Sequence, residues 1–348
     1  MAGEDWAERI GGEAVLVTGA AGFIGRAVAE RMLDAGVRVV GLDNLGPYYD
    51  PALKRARLAT LERREGFAFE RIDLADRAAM RALFDRHEPA RVVHLAAQAG
   101  VRHSLSHPHD YVESNLAGFV TLLEECRRTG VAHLVYASSS SVYGGNRKIP
   151  FAVGDSVDHP VSLYAASKKA NELMAHAYAH LFALPATGLR FFTVYGPWGR
   201  PDMAVWLFTE ALFEGRPIRL FAGGRLRRDF TYIDDIVEGV VRLIPETAMP
   251  DPAFDPLAPD PATSWAPHRL YNIGNSRSEE VLELVRLLEE LTGREAIREE
   301  APMQPGDVAE TWADVGALEQ VVGFRPATPL REGLARFVEW YRAHHAIA

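Results

Sequence analysis

The chain has 348 residues, 48% hydrophobic and 24% charged, with a net charge of -9 and a single cysteine, Cys126. That length allows one large domain or two coupled ones, and the negative charge argues against a general nucleic-acid surface. One cysteine excludes an internal disulfide framework and fits a reducing compartment.

Taken in chain order, the opening MAGEDWAERIGGE lacks an apolar h-region, so no signal peptide is expected. No apolar run reaches membrane-spanning length, and the expectation is a cytoplasmic protein with no membrane partner. AVLVTGA then reads as a strand and FIGRAVAERMLDAG as a helix. VRVVGLDN and FAFERIDL are strands, RAAMRALFDRH a helix and RVVHLAA a strand. YVESNLAGFVTLLEECRRTG is a helix, AHLVYASSS a strand, SLYAASKKANELMAHAYAHLF a helix and ATGLRFFTVYG a strand. Strands apolar on both faces and spaced by helices predict an α/β, Rossmann-type doubly wound parallel sheet. Ligands of such sheets bind at the carboxyl ends of the strands.

After Gly196 the rhythm loosens. MAVWLFTEALFEG, EEVLELVRLLEELTG and LREGLARFVEWYRAHH read as helices, and the Pro-rich 245–267 segment as a surface loop or flexible insertion. Residues 1–190 are expected to bind a dinucleotide, with 230–245 and about 268–277 returning to that half. Residues 191–348 are expected to form a smaller C-terminal α/β substrate domain.

VTGAAGFIG sets Gly19, Gly22 and Gly25 at a strand-to-helix junction, where a pyrophosphate can sit on a helix N-terminus. Ala21, Phe23 and Ile24 belong to the same turn. Asp43 ends the second strand, where a carboxylate accepts from the adenosine ribose and repels a 2′-phosphate, favouring NAD over NADP. Asn44 follows it. Asp73 and Leu74 end the third strand, where adenine would lie, and Leu95, Ala96 and Ala97 end the fourth. YAASK puts Tyr164 and Lys168 four apart on one helix face. An adjacent ammonium and a positive nicotinamide would lower the phenol's pKa and let Tyr164 act as a base.

The Gly19, Gly22, Gly25 spacing, HLAAQAG and LYAASKKA resemble the extended branch of the short-chain dehydrogenase/reductase superfamily across nearly the whole chain. In that branch the residue matching Ser139 bonds the reacting hydroxyl beside the tyrosine. Ser138 is read instead as a satisfied serine in the strand-end turn. Relatives that dehydrate nucleotide sugars carry Asp-Glu before Val-Tyr-Gly, and decarboxylases carry Glu. Here those places are Ser140 and Ser141, which cannot do that acid–base work at neutral pH. The resemblance therefore implies epimerisation.

DNLGPYYDPALKRARL, TVYGPWGRPDMA, RRDFTYIDDIVEGVV and APMQPGDVAETWADV look like bacterial and plant UDP-glucuronate 4-epimerases. The activity implied is conversion of UDP-glucuronate to UDP-galacturonate, with Ser140, Ser141 and Thr193 holding the uronate carboxylate. Arg200 is a candidate carboxylate or diphosphate partner. Arg228 matches a diphosphate-gripping arginine, Asp307 a residue reaching the uridine ribose, and Gln304 stands where many relatives have a second arginine. The family's AGVRYS reads AGVRHS here, with His103 for Tyr, and Arg102 is placed to approach sugar or phosphates. His94, His103, His107 and His109 fit no zinc spacing, so no metal is expected. The alternatives are a 4-epimerase of a neutral UDP-hexose, a UDP-glucuronate decarboxylase, or an NAD-sensing protein without catalysis. The helices after Gln98 and the Tyr164 helix are expected to pair two chains as a homodimer.

Overall fold

The computed structural model describes residues 5–303 and 308–347. Six strands come first: β1 (Ala14–Thr18), β2 (Arg38–Leu42), β3 (Phe67–Glu70), β4 (Arg91–His94), β5 (His133–Ser139) and β6 (Ala186–Phe191). Seven more follow: β7 (Thr193–Tyr195), β8 (Ile218–Phe221), β9 (Arg227–Arg228), β10 (Phe230–Tyr232), β11 (His268–Ile273), β12 (Glu279–Glu280) and β13 (Arg298–Ala301). A seven-stranded parallel sheet runs in the order β11-β6-β5-β4-β1-β2-β3. The chain steps outward from β1 through β2 to β3, then returns to β1's other side as β4. That reversal opens a crevice at the carboxyl ends of β1 and β4.

Both faces of the sheet are covered. All five residues of β1 are buried, as a strand sandwiched between helices requires. Val15 and Val17 pack with Val28 and Met32 of the helix Phe23–Asp34 and with Val240 of the helix Ile233–Leu243. Leu16 faces the opposite core, with Phe84, Phe119, Leu122 and Leu134. Each such side chain, once fully buried, is worth about 1.5–3 kcal/mol.

Beyond β6 the chain builds three two-stranded pairs: β7 with β10, β8 with β13, and β9 with β12. Buried Asp229 ties this region to the sheet. It accepts from the amides of Asn275, Ser276 and Ala313 at 2.7–3.1 Å and from the Thr231 hydroxyl at 3.0 Å.

Several expectations need correction. ATGLRFFTVYG is two strands, because the bonding to β11 ends with Phe192 N on Ile273 O and Thr193 N turns to Asp229 O to pair with β10. The third strand stops at Glu70, so Asp73 and Leu74 lie in the following loop. YVESNLAGFVTLLEECRRTG is a π-helical stretch, Val112–Ala117, leading into an α-helix, Gly118–Thr129. A further helix, Pro51–Leu61, went unassigned although Asp50 caps it and Pro51 opens it. The 245–267 segment is the expected surface loop, a strap with repeated aspartate turns whose Ala262, Ser264 and Ala266 are buried.

Candidate active site

The cofactor end is built from the turn between β1 and the first long helix. Gly19 has φ +74°, and a side chain there would meet Ala96 N at 2.8 Å. A Cβ on Gly25 would come within 2.0 Å of Gly19 O, so the helix can approach the turn only as glycine. The helix that follows has no side-chain cap at Gly22, and Gly22, Phe23 and Ile24 line the cleft. This backbone cradle fits a dinucleotide pyrophosphate.

Asp43 is 6% exposed and accepts from Ala21 N at 3.2 Å and Leu45 N at 2.8 Å, with the Lys54 ammonium 3.8 Å away. Ala21 thus buttresses Asp43 from behind instead of lining the cleft. Asn44 donates to Asp73 Oδ2 at 2.9 Å, bracing the Asp43 end of the cleft. Leu95 and Ala96 are fixed because their amides donate to the Thr18 hydroxyl oxygen at 3.2 Å. That hydroxyl bonds His94 Nδ1 at 2.8 Å, and burial pushes His94 down to about 3.

The reaction end lies where β5 meets the helix Leu163–Phe182. One cleft of about 850 Å³ runs from Asp43, Asn44, Asp73 and Leu74 to Ser139, Ser140, Ser141, Tyr164, Lys168, Thr193 and Arg200. Tyr164 is half-buried and hydrogen-bonded to Ser139. Lys168 is 2% exposed, donates to Ala137 O at 2.9 Å, and is pulled down to about 8 by burial. Burial raises the Tyr164 phenol, opposed by Ser139 and by the Arg200 charge. The chain's own effect on Tyr164 is therefore upward, against the lowering expected from Lys168. Loss of water outweighs the favourable partners.

Ser139 Oγ accepts from Ser141 N at 3.2 Å and so opens the 3-10 turn Ser140–Tyr143. Ser140 and Ser141 are half-buried in the cleft. Ser138 donates at 2.7 Å to Glu172, which Arg190 grips through two bonds of 2.8 and 2.9 Å.

Arg102 and Arg228 stand apart from the cleft. Arg102 is exposed, its guanidinium 4.4 Å from the Phe221 ring centre. Arg228 donates to Arg227 O at 2.8 Å on β9 and does not line the cleft. Gln304 and Asp307 fall outside the described residues. Arg200 does line it, but is bound side-on to Asp202 at 3.0 and 2.5 Å. His103 stacks on His107 at 4.1 Å and bonds Asp110 at 3.2 Å.

Asn115 was not anticipated. Its amide joins Gln98 to the Tyr164 helix by donating to Gln98 O and Ser167 Oγ, each at 3.0 Å. Glu172 was missed too, although it stands one helical turn beyond Lys168 on the same face.

A model of the NAD dependent epimerase/dehydratase family matches residues 15–254. The chain is 55% identical over 332 residues to a 37.6 kDa protein of Escherichia coli O111:H-, covering 95% of this chain and 99% of that one. It is 49% identical over 341 residues to a probable UDP-glucuronate 4-epimerase of Rhizobium meliloti, covering 95% and 99%. Its fold is similar to that of the Bacillus cereus UDP-glucuronic acid 4-epimerase solved with UDP-glucuronic acid and NAD. The TM-score is 0.84 at 31% identity, over 95% of this chain and 99% of that one. With a glycine cradle, an acidic second-strand end and a Ser-Tyr-Lys set in one cleft, the chain belongs to the NAD dependent epimerase/dehydratase family, and its cofactor is NAD.

Proposed function

We propose that the protein is a UDP-sugar 4-epimerase whose substrate is UDP-glucuronate and whose product is UDP-galacturonate. The observation that carries this reading is the wall of the cleft facing Tyr164. Ser139, Ser140, Ser141 and Thr193 supply hydroxyls there, and no carboxylate stands at the two positions elimination would need. The likeness to UDP-glucuronate 4-epimerases supports the choice of sugar.

NAD would be held by the Gly19–Gly25 turn, by Asp43 and by the floor at Leu95, Ala96 and Ala97, and it supplies a reversible hydride acceptor. Tyr164 takes the proton of the C4 hydroxyl and later returns it, with Ser139 bonding the same oxygen. Lys168, anchored on Ala137 O, keeps positive charge under the phenol. Oxidised at C4, a uronate is a β-keto acid and loses carbon dioxide readily. Ser140, Ser141 and Thr193 hold its carboxylate away from that geometry. By the resemblance alone, Arg228, Gln304 and Asp307 are assigned to the nucleotide and Arg102 to the sugar or phosphates, although neither arginine lines the cleft as it stands. Residues 1–190, with 230–245 and about 268–277, are assigned to the cofactor, and the rest of 191–348 to the UDP-sugar.

One observation favours a second reading, a neutral UDP-hexose: Asp202 already balances the charge of Arg200. For the assembly we propose a homodimer, supported by exposed Val112, Val120, Leu163, Leu173 and Leu181 on the two helical segments expected to pair. No helix among the described residues is long and apolar enough to cross a membrane, and a cytoplasmic location is proposed from the single, buried Cys126.

The test is incubation of purified protein with UDP-glucuronate, without added NAD, and identification of the product by NMR. UDP-galacturonate is expected. A UDP-pentose would refute the role of the serines. Turnover of UDP-glucose alone would establish the neutral sugar instead.

A further inference from the structure

Three loops meet over the reaction end of the cleft. The first, after β2, carries Tyr48; the second, after β4, carries Gly100 and His103; the third, after β7, carries Arg200 and Asp202. Tyr48 touches all of them. Its hydroxyl donates to Asp202 Oδ2 at 2.9 Å, and its ring lies edge-on to His103 at 4.9 Å and 5.9 Å from the Arg200 guanidinium. It also crowds Gly100, where a Cβ would come within 2.4 Å of the Tyr48 hydroxyl. Asp202 takes Arg200 through Nε and Nη2, and Arg200 Nη1 makes no hydrogen bond among the described residues.

We propose that Tyr48 and Asp202 are positioning residues that lock Arg200 side-on, so that the balanced pair fixes the charge Tyr164 faces. The proposal rests on Tyr164 being the proton-transferring group of the proposed reaction. The groups around Tyr164 are few. Ser139 bonds it from β5, Tyr111 meets its ring edge-on at 6.1 Å, and Lys168 lies one turn along its own helix with buried His94 beyond. Arg200 and Asp202 act on it from the third loop with opposite signs, the arginine lowering its proton affinity and the aspartate raising it. Two opposite charges so arranged offset each other in a fixed proportion only while their geometry holds. A carboxylate fixed by a planar two-point contact and a third hydrogen bond is such a geometry.

The experiment compares pH profiles of kcat for the wild-type holoenzyme, Asp202→Asn and Tyr48→Phe, with UDP-glucuronate and with UDP-glucose. Asp202→Asn leaves the Arg200 charge unopposed, so the acid limb should move down by about half to one pH unit. Asp202→Glu should restore it. Tyr48→Phe keeps every charge but frees the Asp202 carboxylate from its third hydrogen bond, so its acid limb should move down by less than in Asp202→Asn, under about half a pH unit, while KM rises about three- to tenfold from a loosened Arg200. An acid limb unmoved or raised in Asp202→Asn, or an unchanged KM in Tyr48→Phe, overturns the proposal. Tyr48→Phe loses one hydroxyl and carries the test alone if Asp202→Asn does not fold. A Tyr164→Phe control separates the two ideas. Full activity in that variant removes the mechanism beneath the proposal, whereas an inactive control with an unmoved Asp202→Asn profile removes the proposal alone.

Discussion

Replacing Arg190 by Met should cost this protein more stability than replacing both members of its ion pair. Arg190 and Glu172 are 0% and 2% exposed and face each other through two short bonds. Without the guanidinium, Glu172 keeps the Ser138 hydroxyl at 2.7 Å and the Lys169 ammonium at 3.5 Å. Neither replaces a two-point charged contact, and water is excluded. Removing one partner of a buried pair costs about 3–5 kcal/mol, whereas exchanging both for apolar groups of similar volume is often nearly neutral. Glu172→Leu with Arg190→Met should therefore recover most of the loss. The assay is urea unfolding at pH 7 of wild type, both single variants and the double, treated as a cycle. With a slope of about 3 kcal/mol per molar, Arg190→Met should lower the midpoint by about 1 M or more. The loss should shrink in mild acid, where an unpartnered Glu172 takes up a proton. A double variant as unstable as Arg190→Met would refute the reasoning, because packing and not an uncompensated carboxylate would then dominate.

Gly25→Ala should purify with under about a tenth of the wild-type NAD, since a 2.0 Å approach to Gly19 O must push helix and turn apart; acid release and cofactor quantitation check it, and full NAD content would refute the interlock. Tyr164→Phe should retain NAD yet lose at least about a hundredfold in kcat, measured by NMR of the product sugar. Stability should fall on acidification because burial depresses His94, His133 and His268 to about 3, 4 and 3. Folded imidazoles stay neutral while unfolded ones take up protons below about 6.5, so stability present at pH 7 is lost as pH falls towards those values, by up to about 4 kcal/mol per unit for the three. A urea midpoint that does not change from pH 7 to 5 would contradict this. Lys168 shares that sign of shift, and its burial cost should ease as pH rises from about 8 to about 10, visible as a gain in midpoint unless another group titrates there.

Much of this architecture was legible as sequence because the sheet is covered on both sides. AVLVT, RVVGL and RVVH are short apolar runs, and glycines, Asp43 and the Tyr-Ala-Ala-Ser-Lys run follow at fixed places in the alternation. What could not be read were contacts between residues far apart in the chain. Arg57 looks like one charge in a polar helix, yet it is 0% exposed and grips Trp198 O and Gly199 O. Arg200 reads in the sequence as a candidate carboxylate or diphosphate partner, and the structure shows Asp202, two residues on, holding it. The Asp50-Pro51 start of a helix was readable from local chemistry alone and was passed over. Arg102 reaches the Phe221 ring and Arg228 reaches Ala309 O at 3.4 Å, contacts that no local pattern encodes.

The seam at Asp229 bears on how such enzymes diversify. The chain leaves the sheet at Phe192, returns after Tyr232 to a helix on its face, rejoins its edge as β11 and departs again at Gly274. Asp229 is bonded at these crossings, accepting from Thr231 Oγ1 and from the Asn275 and Ser276 amides. No single splice therefore exchanges the part outside the seven-stranded sheet of one relative for that of another. A chimaera would need matched junctions at every crossing, around one shared buried carboxylate. On the proposed reading, in which Ser140, Ser141 and Thr193 face the sugar, new sugar preferences would be reached more readily by point changes along that cleft wall than by trading modules.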